Sequence, residues 1–208
     1  MTKIATYGPN DVWPRKAIIP DQTHGTKIVK LESGNEDLSE CDGIWTERDE
    51  YILGVRHADC APICFYNYKT IGIIHVGWRG LVNGIMEKMA EIFPPDGKNI
   101  AYTGPMIHCY EIKKDKCYEM ITDKFGDKFI RAMYTGMKSK EYPDGEKYFF
   151  HFREAVLSML EGYHAKHGHD SRDTYFKCDG SLAGHRRGDT PGKNNVMLIT
   201  RQKSNLFR

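Results

Sequence analysis

Three short segments carry side chains that chemistry uses. "QTHG" (22–25) places His24 just ahead of a β-like run, "KIVKL". "RHADCAPI" (56–63) places Cys60 between two apolar stretches, with Asp59 beside it. "HVGWRG" (75–80) sets His75 at the end of an apolar stretch, before a glycine-rich turn. Two imidazoles and one thiolate, with a fourth position open, are a donor set that suits a catalytic zinc ion. The segments hold no short ligand pair, so only the fold can bring them together. Each residue also has a plainer reading. His24 suits a turn, Cys60 suits packing among apolar neighbours, and Cys60 with His75 would serve as a nucleophile and its base.

The third segment offers more than a ligand. Gly77 and Gly80 let the backbone turn sharply and approach a ligand. A helix read to begin near Leu81 would point unpaired N–H groups at an anion, and Arg79 adds a planar, bidentate donor for phosphate or carboxylate. The plainer alternative is a tight turn with Arg79 in solvent. His57 lies close to Cys60 in sequence. Arg186 and Arg187, beside His185 in "GHRRG", are candidates for the mouth of the same site. His108, His151, His164, His167 and His169 read as surface or helix-end residues, and Cys109, Cys117 and Cys178 as structural thiols.

The elements that must position these groups follow from apolar patterning. "YILGV" (51–55), "APICFY" (61–66) and "TIGIIHV" (70–76) read as short buried strands. "NYK" (67–69) fits the turn joining the last two, and that hairpin would carry Cys60 towards His75. "LVNGIMEKMAEIF" (81–93) puts Val82, Ile85, Met86, Met89 and Phe93 on one helical face, and Pro94-Pro95 stops it. "NIAYTGP" (99–105), "KYFFHF" (147–152), "DTYFKC" (173–178) and "NVMLITR" (195–201) read as strands. "KCYEMITDKFGDKFIRAMY" (116–134) reads as helical with an interruption near Gly126, and "REAVLSMLEGYHAKHG" (153–168) as an amphipathic helix. "TGMKSKEYPDGEK" (135–147) is polar, with a Pro-Asp-Gly turn signal, and reads as a surface loop. A basic, Gly-rich loop runs from Asp179 to Asn195. Strands and helices mix without strict βαβ order, which favours an α+β fold with mixed sheets.

Bulk composition narrows the function classes. The chain has 208 residues, enough for one compact domain over 1–208 with a sizeable core. A net charge of +2 gives no reason to expect nucleic-acid binding. No run approaches the ~18 apolar residues of a membrane span, and the N-terminus lacks the apolar core of a secretory signal. The six cysteines form no Cys-x-x-Cys pair, so a reduced, cytoplasmic protein is expected. Homo-oligomerisation is left open.

In six ordered motifs over roughly residues 20–195, the sequence resembles a family known as multicopper polyphenol oxidase (laccase-domain) proteins. The same family is called purine nucleoside phosphorylase/adenosine deaminase and peptidoglycan editing factor. Its Q-x-H-G is similar to Gln22–Gly25, its A-D-G-x-x-T to "CDGIWT" (41–46), its A-D-C-x-P-I to "ADCAPI" (58–63) and its H-x-G-W-R-G to "HVGWRG". Its G-P-x-I…C-Y-E-V is similar to "GPMIHCYEI" (104–112), and its late S-x-R-R…G-R to "GHRRGDTPGK" (184–193). The resemblance implies layered mixed β-sheets flanked by helices, with a metal in a surface cleft held by His24, Cys60 and His75. It also implies zinc-dependent phosphorolysis of purine nucleosides, with adenosine deamination as a second activity. In that reading Arg79 binds phosphate, Asp59 or Asp42 moves protons, and His57, Arg186 and Arg187 meet substrate. Copper-dependent oxidation of phenols and amide hydrolysis in cell-wall precursors are the family's other implied activities. Gly184 and Lys193 depart from the family's late Ser and Arg, and His57 stands where a threonine is common.

Overall fold

The computed structural model describes residues 1–139, 142–163, 174 and 194–201. Three sheets and four helices build it among those residues. The expectation of an α+β fold with layered mixed sheets and flanking helices holds. The expected strand at 173–178, the histidines at 164, 167, 169 and 185, Cys178, and the loop carrying Arg186 and Arg187 fall outside the described residues, save for Thr174.

The central layer is a five-stranded sheet. It contains β3 (Ile28–Lys30), β4 (Gly43–Thr46), β6 (Ala61–Tyr66), β7 (Ile71–Val76) and β8 (Ile100–Thr103), in the order β3-β4-β7-β6-β8. β6 and β7 form the expected antiparallel hairpin. Its turn is set by Asn67, whose side-chain oxygen accepts from the Lys69 and Thr70 N–H groups at 2.8 and 2.7 Å. β3 joins β4 in parallel and the remaining pairs are antiparallel. Every residue of β7 is buried, so both faces of this sheet are covered, as its unbroken apolar runs require.

One face packs on a four-stranded sheet of β1 (Lys3–Tyr7), β2 (Ala17–Ile18), β5 (Ile52–His57) and β12 (Asn195–Thr200), in the order β1-β12-β5-β2. Leu53, Val55 and Ile199 from that sheet meet Cys64, Ile71 and Ile73 from the central one. The alternate side chains, Ile63, Phe65, Ile74 and Val76, point the other way. There they pack on α1 (Trp78–Val82) and α2 (Ile85–Ile92). The same core reaches a third sheet, β9 (Tyr110–Ile112), β10 (Ile130–Tyr134) and β11 (Glu146–Phe150), ordered β10-β11-β9.

Two expectations are corrected. The helix read continuously over 81–93 is two helices. Asn83 caps α1, and Gly84, at φ 94°, starts α2 in the left-handed region. Glycine tolerates that backbone and is poor inside a helix. Ile85, Met86, Met89 and Phe93 are buried as expected. The pattern over 116–134 is a helix only to Phe125, as α3 (Lys116–Phe125), capped by Asp115 and ended by Gly126. Residues 130–134 are β10, paired antiparallel with β11. This pairing outweighs the weak helical pattern. α4 covers Phe152–Ser158, shorter than the 153–168 expected.

Candidate metal centre

The candidate ligands meet where the chain crosses from the four-stranded to the central sheet. β5 ends at His57 and β6 begins at Ala61, so Cys60 closes the crossover turn. The turn is fixed by backbone bonds: Ile107 N–H to the Asp59 carbonyl (3.0 Å) and Gly104 N–H to the Pro62 carbonyl (2.8 Å). The β6–β7 register sets Pro62 opposite His75, which brings His75 beside the turn. The ligand atoms of His24, Cys60 and His75 lie within 4.8 Å of one another.

Asp42 organises this cluster. It is fully buried, immediately before β4. Its carboxylate accepts from three successive backbone N–H groups, of Thr23 (3.1 Å), His24 (3.0 Å) and Gly25 (2.7 Å). It also pairs with His75 Nδ1 at 2.8 Å. Those bonds hold His24 at φ 62°, a left-handed backbone that is uncommon for a residue with a side chain. With Nδ1 committed to Asp42, His75 has Nε2 left for the Cys60 side, as in many metal-ligating histidines whose other ring nitrogen is held by a carboxylate. Gln22 adds a second anchor. Its amide accepts from the Arg56 N–H at 2.8 Å and donates to the Arg56 carbonyl at 2.7 Å, so the loop is stitched to β5.

Electrostatics follow from burial and these contacts. Burial pushes the Cys60 thiol up, but hydrogen bonds and charge from His24 and His75 outweigh it and bring the thiol to about 6. Burial pushes His75 down, but Asp42 and the Cys60 thiolate outweigh it and raise the imidazole to about 9. Burial would raise the Asp42 carboxyl. The bonds from His75, Gly25 and Thr23 hold it below its ordinary value instead. Both shifts favour the thiolate and the imidazolium over the neutral pair.

The donor set fits a metal. Tetrahedral zinc holds N and S ligands at about 2.0–2.3 Å, so a modest inward adjustment of the three side chains closes the site. His24 is exposed while His75 is buried, so the outer face is the one a further ligand reaches. Gly77 leaves room for the His24 and Cys60 side chains themselves. A Cβ there would lie 2.7 Å from His24 Cδ2 and 3.3 Å from Cys60 Sγ.

The other candidates are distributed unevenly. α1 begins at Trp78, not near Leu81, so Arg79 sits in its first turn, exposed, with its guanidinium 5.3 Å from the Trp78 ring centre. That turn packs tightly on the His24 loop, since a Cβ at Gly80 would meet the Gly25 carbonyl at 2.9 Å. A five-residue helix has a small dipole, so anion attraction here rests on the guanidinium. Asp59 is nearly buried beside Cys60 and accepts from Thr174 Oγ1 at 3.0 Å. His57 is 2% exposed and paired with Asn195 across β5 and β12. Asp42 meets His75 and the backbone of the His24 loop. Its signal in the sequence was the Asp-Gly of "CDGIWT".

A family model described as multi-copper polyphenol oxidoreductase laccase matches residues 10–198. The chain belongs to this family. A purine nucleoside phosphorylase of Staphylococcus saprophyticus is 27% identical over 196 residues, covering 81% of this chain and 73% of that protein. One from Aquifex aeolicus is 32% identical over 104 residues, covering 48% of this chain. The matched stretches span half the length of the Aquifex protein and 39% of a similarly named protein of Haemophilus influenzae. Among solved structures, the hypothetical protein YfiH of Bacillus licheniformis superposes with a TM-score of 0.73 at 24% identity, covering 90% of this chain and 74% of that one. YlmD of Geobacillus stearothermophilus gives 0.69 at 21% identity, with 90% and 74% coverage. Both likenesses establish the fold. No helix among the described residues is long and apolar enough to cross a membrane.

Proposed function

We propose that this chain is a metal-dependent purine nucleoside phosphorylase, with zinc held by His24, Cys60 and His75. The observation that carries the reading is the three-ligand cluster whose buried side is closed by Asp42 and whose outer side is exposed at His24. The names of the curated relatives support the same activity. When bound, the metal supplies a fixed positive charge for an anionic oxygen.

The chain's own residues supply the rest. Asp42 keeps His75 and His24 oriented, and acts through them without meeting substrate. Arg79 binds phosphate through its guanidinium fork, with the Trp78 ring at its side. Arg186 and Arg187 are assigned to the same anion and to the mouth of the site. In phosphorolysis a phosphate oxygen bonds to the anomeric carbon of ribose and the bond from that carbon to the purine nitrogen breaks. The departing base takes the bonding pair and needs a proton. Asp59, beside Cys60, is assigned to give it, and its Oδ1 accepts from Thr174 Oγ1. Adenosine deamination at the same site is a second activity in this reading, and a cytoplasmic location goes with a nucleoside substrate.

The test is product analysis by mass spectrometry after incubating purified protein with inosine or adenosine and phosphate. Free base plus ribose phosphate is the expected result. Conversion of adenosine to inosine would add the deaminase activity. The family's description favours a second reading, oxidation of phenols with copper in the same His₂Cys set. Stoichiometric copper in protein purified without added copper, oxygen consumed on phenols and no nucleoside turnover would replace the first reading with the second. Hydrolysis of amide bonds in cell-wall precursors is the remaining outcome if neither substrate class reacts.

A further inference from the structure

A second set of metal-type donors lies outside the site described above. His108 follows the 104–107 segment, and His151 and Glu154 open α4. Their donor atoms lie within 4.8 Å of one another. His151 Nδ1 and Glu154 Oε1 are 3.0 Å apart, close to the roughly 3 Å bite that two ligands of one zinc ion require. The His108 and His151 rings meet edge to face, with centres 5.7 Å apart.

The fold brings them together by two independent devices. His151 is the N-cap residue of α4 and Glu154 the third residue of the helix, so one helical turn sets both on the same side. His108 comes from a different part of the chain, and its carbonyl accepts from the Arg153 N–H at 3.1 Å. That bond ties the 106–108 backbone to the first turn of α4. Arg153 Nη2 reaches the Met106 carbonyl at 2.8 Å and strengthens the tie. On the other side, Arg131 Nη2 lies 3.8 Å from Glu154 Oε2. The guanidinium engages one carboxylate oxygen and leaves the other towards the imidazoles, as an outer partner of a ligating carboxylate does.

We propose that His108, His151 and Glu154 form a second binding site for a divalent transition metal, zinc or its neighbours nickel and copper. Two imidazoles and one carboxylate select these ions over magnesium and calcium, which prefer all-oxygen sites. The three groups are partly exposed, so a solvent ligand completes the shell and the site exchanges its ion more readily than the buried one. The assignment stands apart from the proposed nucleoside chemistry and does not depend on it.

The experiment is equilibrium dialysis of the full chain against zinc, read by elemental analysis, in wild type, Cys60→Ala, His108→Ala/His151→Ala and Glu154→Gln. The expected result is one equivalent lost in Cys60→Ala and a different equivalent lost in the double variant, so that the two losses add when combined. Glu154→Gln, a change at a partly exposed side chain, weakens the second equivalent at least tenfold without disturbing the fold. It therefore serves even if the double variant folds poorly. Zinc uptake identical in wild type, the double variant and Glu154→Gln overturns the proposal. So does loss of the same equivalent in Cys60→Ala and Glu154→Gln.

Discussion

His75 is 4% exposed and pairs with a carboxylate that three backbone N–H groups also grip. His151 pairs with Glu154, whose side chain is 44% exposed and whose other oxygen is 3.8 Å from one arginine. Both clusters gather three donors within the same radius. One is built into the end of a two-sheet core, and the other onto the first turn of a short helix. In the first, ligand positions are set by burial and backbone bonds before any metal arrives. In the second, side-chain rotamers must be ordered by the ion itself, which costs conformational entropy. Preorganisation is what separates a site suited to chemistry from one suited to reversible loading.

The sharpest way to break that comparison is to remove the shared ligand of the first cluster. Cys60→Ala should abolish tight zinc binding and lower phosphorolysis by more than about 100-fold, since losing a ligand costs more than the roughly 10–100-fold typical of losing a group that only orients one. Retention of both zinc and activity in this variant would move the site elsewhere. Next in size is Asp42→Asn. Metal affinity should fall about 10–100-fold. The fold should also lose on the order of 1–3 kcal/mol, because a buried charged acceptor with four donors is weakened. Metal titration and denaturant unfolding read the two effects separately.

Gly77→Ala tests the space beside the ligands. The added methyl, 2.7 Å from His24 Cδ2, should displace His24 and weaken metal binding about tenfold, the low end of what losing a ligand-orienting contact costs. Circular dichroism should stay unchanged, because the clash is with a partly free side chain and not with backbone.

Protons offer a fourth measurement. Without metal, Cys60 is ionised above about 6 and His75 stays protonated up to about 9. Loading zinc near pH 7 should therefore release about one proton, from His75, as calorimetry in buffers of different ionisation enthalpy will show. Apparent affinity rises with pH towards about 9. The stability contributions have opposite signs. The raised His75 value stabilises the metal-free fold below about 6.5 and is lost as pH climbs through about 9. The lowered Cys60 value stabilises it above about 9 and is lost as pH falls through about 6. The smallest effect belongs to the second cluster. Glu154→Gln should move the thermal midpoint by less than about 4 °C, as expected for a partly exposed ion pair.

Several pieces of this architecture were legible in residues alone. "APICFY" reads as a strand and is β6 over the same span, because an apolar run between turn signals has few other uses. His24, Cys60 and His75 stood out through their motifs. "IRAMY" misled, because a strand on the edge of a three-stranded sheet, exposed over most of its length, keeps little period-two signal. His108 and His151 read as surface residues, although the His-x-x-Glu spacing of His151 and Glu154 was a usable sign of a shared helical turn.

By itself, the sequence determined the apolar β6–β7 hairpin, the glycine at 77 and the identities of three soft donors, because local patterning and donor chemistry are properties of short segments. Only the tertiary structure decided which donors converge. Asp42 reaches back across 17 to 19 residues to grip the QTHG backbone and forward across 33 to orient His75. His108 meets α4 through a backbone bond that no local pattern encodes. Such contacts depend on sheet register and crossover geometry, which long-range packing sets.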